Sequence, residues 1–135
     1  MSASVIPTLR YDDPNKAVEF LRDSFGFQEK SVFKSKDGII EHAELTHGNG
    51  MIMIGSTGYE SEFSKYMVHP RDVELKQTIT VYIIIKDIEA HYRKAQASGV
   101  EILLPLTEKS YGGKDYSCRD PEGYVWSFGT YDPWA

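Results

Sequence analysis

Four histidines and one cysteine are scattered along this 135-residue chain, and only one pairing has a spacing that chemistry can use. His42 and Glu44 stand at i and i+2 in a run that reads as a β-strand, so both side chains project from the same face. An imidazole beside a carboxylate can move a proton, supply part of a metal site, or simply hydrogen-bond on a solvated sheet; the sequence leaves all three open. His47 lies in a turn and His91 on the polar side of a helix, which assigns both to the surface. His69 precedes Pro70 in a long connection, where it could meet a cavity or stay exposed. Cys118 alternates with polar neighbours in a strand and has no histidine paired with it, so it reads as buried rather than nucleophilic. Gly112-Gly113 is not followed by a helix and makes no phosphate loop, and no serine-hydrolase signature occurs.

Charge narrows the partners. Fifteen Lys and Arg against twenty Asp and Glu give a net charge of −5, with the signs interspersed, which argues against nucleic acid and anionic membrane. A single cysteine allows no intramolecular disulfide and suits a reducing compartment. Met1 to Val5 has neither the basic start nor the apolar run of a signal peptide, and no apolar stretch reaches the length of a membrane span, so a cytoplasmic protein is expected. The length suits one domain, able to bury roughly two-thirds of the surface its unfolded chain exposes.

The elements that must position these residues follow from period and punctuation. Val5 to Tyr11 reads as a strand. Asp13-Pro14 then provides an N-cap and a first helical residue, and Ala17, Val18, Phe20, Leu21 and Phe25 make one helical stripe that Gly26 ends. Strands are expected over Phe27 to Ser35, Ile39 to Thr46 and Met51 to Gly55, joined at Asp37-Gly38 and at His47-Gly48-Asn49-Gly50. Between Ser56 and Gln77 periodicity is lost. Tyr59, Phe63, Tyr66 and Met67 there suggest a segment that packs onto something, either a lid or an ordered linker. Thr78 to Ile85 is a β-branched strand, and Asp87 caps a helix that Gly99 ends. Val100 to Leu106 is a strand whose Pro105 implies an edge or bulge. Asp115 to Arg119 and Tyr124 to Thr130 form a closing hairpin around Asp120-Pro121-Glu122-Gly123.

The halves repeat in pattern: strand, Asp-capped helix, Gly stop and three strands, with twenty-four residues from Gly26 to Gly50 and again from Gly99 to Gly123. The run Asp120-Pro-Glu-Gly-Tyr-Val-Trp-Ser-Phe128, supported by Leu9-Arg10-Tyr11-Asp12-Asp13 before the first helix, resembles the vicinal oxygen chelate superfamily of glyoxalases, extradiol dioxygenases and bleomycin-resistance proteins. The resemblance covers nearly the whole chain. It implies an α+β fold of two βαβββ modules whose curved mixed sheets enclose a cleft. The boundaries become a single domain of residues 1–135, with module one at about 5–56, a connection at 57–77 and module two at about 78–131. A homodimer is implied as well.

In metal-dependent members the ligands sit on the first and fourth strands of each module. Carried over, those positions fall on Ile6, on Met53 or Ile54, on Thr80 and on Ser127, none of which is a usual ligand for a divalent ion. The chain therefore looks like the branch that captures small molecules without metal, cofactor or catalytic residue. Strand alternation from these positions nominates Thr8, Met53, Thr80, Tyr82 and Ser127 as cavity lining, with His42 and Glu44 near the rim. Met51 and Met53 could make adaptable ligand contacts or only fill gaps. The expected function is sequestration of an antibiotic-like or aromatic compound, a cationic one being favoured by the acidic chain. The alternative is a glyoxalase-like lyase or isomerase whose displaced metal is held by His42 and Glu44, with the long connection able to supply a further ligand.

Overall fold

A computed structural model describes residues 3–135. The chain divides into two compact units, Met1–His69 and Pro70–Ala135, and each builds one four-stranded mixed sheet with an α-helix on one face. The fold is α+β, two βαβββ modules.

Module one comprises β1 (Thr8–Tyr11), α1 (Pro14–Phe25), β2 (Gln28–Lys34), β3 (Ile40–His47) and β4 (Gly50–Ser56). Its sheet order is β1-β4-β3-β2, with β1 parallel to β4 and the other pairs antiparallel. Asp13 caps α1 by accepting the Lys16 N–H at 3.1 Å, and Gly26 ends it at φ 86°. A side chain at that φ would be strained, so glycine is needed there. Of the expected stripe, Ala17, Val18, Leu21 and Phe25 are buried, facing Leu9, Tyr11, Ala43, Leu45, Ile52 and Ile54 from the sheet, whereas Phe20 is only half-buried, edge-on to Phe25. Each large side chain so buried contributes about 1.5–3 kcal/mol. Because strand residues alternate, this packing leaves Thr8, Arg10, His42, Glu44, Met51, Met53 and Gly55 on the opposite, open face. His47, expected on the surface, closes the end of β3 instead: its Nε2 lies 2.9 Å from the Phe25 carbonyl at the end of α1.

Module two comprises β5 (Val81–Ile84), α2 (Ile88–Ala97), β6 (Glu101–Glu108), β7 (Lys114–Arg119) and β8 (Val125–Gly129), in the order β5-β8-β7-β6. Trp126 and Phe128 are fully buried and near-parallel, 9° apart, with Tyr116 stacked on Phe128 at 5.4 Å. Asp120, itself buried, organises the closing hairpin. Its Oδ1 accepts the N–H groups of Glu122 and Tyr124, and its Oδ2 accepts the Trp126 indole N–H at 3.0 Å. Local turn chemistry and the core are thus tied through one carboxylate. Pro105 lies in the edge strand β6, where the pairing register shifts.

Several sequence expectations need correction. The first strand of each module is shorter than read: pairing starts at Thr8 with Met53 and at Val81 with Trp126, so Ile6 and Thr80 precede the sheets and are exposed. Gly123 has a positive φ, 100°, but in the earlier hairpin Gly48 takes that role at 58° and Gly50 simply opens β4. Equal glycine spacing therefore does not mean equivalent turns. His91 faces the sheet, its Nδ1 2.6 Å from the Tyr116 hydroxyl and its ring 4.3 Å from Phe128, because it shares a helix face with Ile88 and Ala95. His69 is buried, 3.7 Å from Asp12. The connection contains short 3-10 turns at Ser64–Tyr66 and Pro70–Val73. Its Tyr59, Phe63 and Tyr66 are 43%, 65% and 76% exposed, so these rings are not packed away. No helix among the described residues is long and apolar enough to cross a membrane.

Candidate functional site

The open face of module one is ordered by strand register into two rows. Thr8 pairs with Met53, Met53 with Glu44 and Glu44 with Ser31, giving one row across all four strands. The next row is Arg10, Gly55, His42 and Phe33. Side chains opposite each other or on diagonal positions reach one another across such a sheet. His42 Nε2 lies 3.2 Å from Glu44 Oε2, and the Phe33 ring lies 5.9 Å from the imidazole. Four of the nominated residues, Thr8, Met53, His42 and Glu44, are thereby gathered on one surface. Arg10 shares it, but its guanidinium turns to the strand end and donates to the carbonyls of Ser56, Thr57 and Tyr59. The Tyr59 hydroxyl donates to Glu41 at 2.7 Å, which raises the Tyr59 pKa and ties the start of the connection to the sheet.

Module two has the same rows with other contents. Tyr82, Ser127 and Ser117 are in register, followed by Ile84, Gly129 and Asp115. The Ser117 and Ser127 hydroxyls lie 2.7 Å apart and satisfy each other. Tyr82 folds over Gly129 and donates its hydroxyl to the Tyr131 carbonyl at 2.8 Å. Burial, then the nearby Asp115 charge, raise its pKa. Asp115 is covered further by Lys109 at 3.3 Å and Tyr111 at 3.3 Å. Thr80 stands outside this arrangement, exposed ahead of β5.

The donor set can be tested against a divalent metal. On the outer and fourth strands the open faces present a Thr hydroxyl and a thioether in module one, and a phenol and a hydroxyl already hydrogen-bonded in module two. These do not fit a hard or borderline cation. His42 and Glu44 lie on β3, one strand away, and among the described residues no third imidazole, carboxylate or thiol groups with them. Cys118 offers no alternative chemistry: burial and the neighbouring Asp120 push its thiol up to about 12, leaving it protonated and inert.

Phe33 was not singled out by sequence reasoning. Counting outward from the Asp37-Gly38 turn could have found it, although the bulge between Phe33 and Lys34 offsets that count.

Comparison with known proteins agrees with this architecture. The family model described as Glyoxalase/Bleomycin resistance protein/Dioxygenase superfamily matches residues 5–128. Among solved structures, TioX from Micromonospora sp. ML1 is 29% identical with a TM-score of 0.75, over 95% of this chain and 98% of that one. The fosfomycin resistance protein FosX from Listeria monocytogenes is similar in fold, with 16% identity and a TM-score of 0.68 over 98% and 96% of the two chains. A superfamily member from Sphaerobacter thermophilus DSM 20745 has 14% identity and a TM-score of 0.68 over 96% and 97%. No curated protein sequence matches. With two βαβββ modules in place and the family model spanning both, the chain belongs to the Glyoxalase/Bleomycin resistance protein/Dioxygenase superfamily.

Proposed function

We propose that this protein binds a small molecule without a metal and acts by holding it rather than transforming it. The observation that carries this reading is the chemistry of the positions carried over from the resembled enzymes, Ile6, Met53 or Ile54, Thr80 and Ser127, and of Thr8 and Tyr82, which pair with Met53 and Ser127 in the sheets: none is suited to a divalent ion. Thr8, Met53, His42 and Glu44 form a mixed polar and polarizable surface suited to a ligand of moderate size. Capture is stoichiometric and needs no catalytic side chain. Sequestration of an antibiotic-like or aromatic compound fits that chemistry, and a homodimer is part of the proposal.

Elemental analysis of protein purified without chelators tests this, together with its native mass. The expected result is less than about a tenth of an equivalent of transition metal, followed by ligands that raise the melting temperature through binding to the native state. About one equivalent per chain, lost in His42→Ala, overturns it in favour of a lyase or isomerase with His42 and Glu44 as metal ligands.

A further inference from the structure

The two open faces differ in one respect that bears on what the ligand is. Gly55 and Gly129 occupy the same place in their sheets, each on the fourth strand and paired across to His42 and Asp115. A Cβ on Gly129 would meet the Tyr82 hydroxyl at 2.6 Å and Asp115 Cβ at 2.8 Å, because Tyr82 lies across that position. A Cβ on Gly55 would meet nothing nearer than the Glu41 carbonyl at 3.8 Å and Arg10 Cγ at 4.0 Å. Module two thus covers its glycine with a ring of its own, and module one leaves the corresponding position bare.

Around that bare position the chemistry is specific. Phe33 is 56% exposed, a large ring on an open sheet face, with the His42 imidazole tilted 40° beside it. His42 takes Oε2 of Glu44, and no described hydrogen bond reaches Oε1. The one guanidinium in the row, Arg10, is committed to three backbone carbonyls and does not neutralise Glu44. A flat apolar surface beside a carboxylate complements a flat group that carries positive charge.

We infer that module one takes a planar aromatic cation, its ring seated over Gly55 against Phe33 and His42 and its charge on the Glu44 carboxylate. This rests on the small-molecule reading above. In module two, Tyr82 occupies the equivalent seat, so one such group binds per chain.

The test is fluorescence titration of the full chain with 9-aminoacridine as the planar cation and 2-naphthoate as the planar anion. The expected result is saturable binding of one 9-aminoacridine per chain, about tenfold or more tighter than 2-naphthoate. Glu44→Gln should weaken the cation about tenfold and leave the anion little changed. Gly55→Val should abolish binding while the thermal transition stays cooperative, since a side chain at 55 has room to fold into. Equal affinity for the two probes, no cation binding at about millimolar concentration, or a Gly55→Val protein that binds as before overturns the inference. None of these outcomes touches the small-molecule reading, which falls only to stoichiometric metal.

Discussion

In module one the middle row of the open face is Thr8, Met53 and Glu44, with His42, Gly55 and Arg10 beside it; in module two the same places hold Tyr82, Ser127 and Ser117, with Asp115, Gly129 and Ile84. The backbones follow one plan, down to the capping Asp13 and Asp87 before each helix. The side chains do not. Polar atoms of module two bond to one another or to backbone, Ser117 to Ser127 and Tyr82 to the Tyr131 carbonyl. In module one, His42 and Glu44 bond only as a pair, and Phe33 presents its ring to solvent. A repeated fold therefore supplies two equivalent surfaces, and only the residues placed on them decide which is covered by its own side chains and which stays open.

That comparison can be broken in several places. The largest effect is expected at the module-two hairpin. Asp120→Ala strands the buried Trp126 N–H and removes the acceptor for two turn N–H groups, at a cost of about 3 kcal/mol in chemical denaturation. The corresponding turn of module one has no buried carboxylate organising it among the described residues. Next comes the glycine pair. Gly129→Ala should cost about 1–3 kcal/mol through overpacking against Tyr82 and Asp115, whereas Gly55→Ala should be neutral or stabilising by a few tenths to about 1 kcal/mol. Similar costs at the two positions would remove the asymmetry on which the ligand inference stands.

A third effect comes from two buried groups of module two. Burial raises the Cys118 thiol from 9.0 to about 12, and burial raises Tyr116 as well. Above pH 9 the unfolded chain loses these protons before the native one does, so stability is full below about 9 and falls as pH rises towards about 12. Cys118→Ala should flatten that alkaline slope, measured by denaturation at several pH values. The smallest effect is expected at Ser117→Ala, which leaves the Ser127 hydroxyl half-buried without its partner and should cost about 1 kcal/mol.

Much of the module plan was legible in the chain. Asp13-Pro14, Gly26, Asp87 and Gly99 mark both helices, and the Asp37-Gly38 and Asp120 to Gly123 turns mark two hairpins, because capping and positive φ are local demands that few residues meet. Alternation along β8 accounts for Trp126 and Phe128 on the buried face and Ser127, nominated for the other face, between them. The start of the outer strands was not legible: Ile6 and Thr80 have strand character, but their neighbours supply no continuing partner. The burial of His69 and the inward orientation of His91 were not legible either, for a related reason. A histidine's burial depends on what lies opposite it, Asp12 in one case and Tyr116 with Phe128 in the other, and those partners are 57, 25 and 37 residues away in the chain.

The sequence by itself determined two βαβββ units and, through the family resemblance, the absence of usual metal ligands at the family's positions, since local propensity and residue chemistry suffice for both. Only the tertiary structure decided that Phe33 stands beside His42, that Arg10 is spent on the carbonyls of Ser56, Thr57 and Tyr59, and that Tyr82 covers Gly129 while Gly55 lies bare. Those facts depend on cross-strand register, on a bulge that shifts it, and on which rotamer a long side chain adopts, and none of these is written in any short stretch of residues.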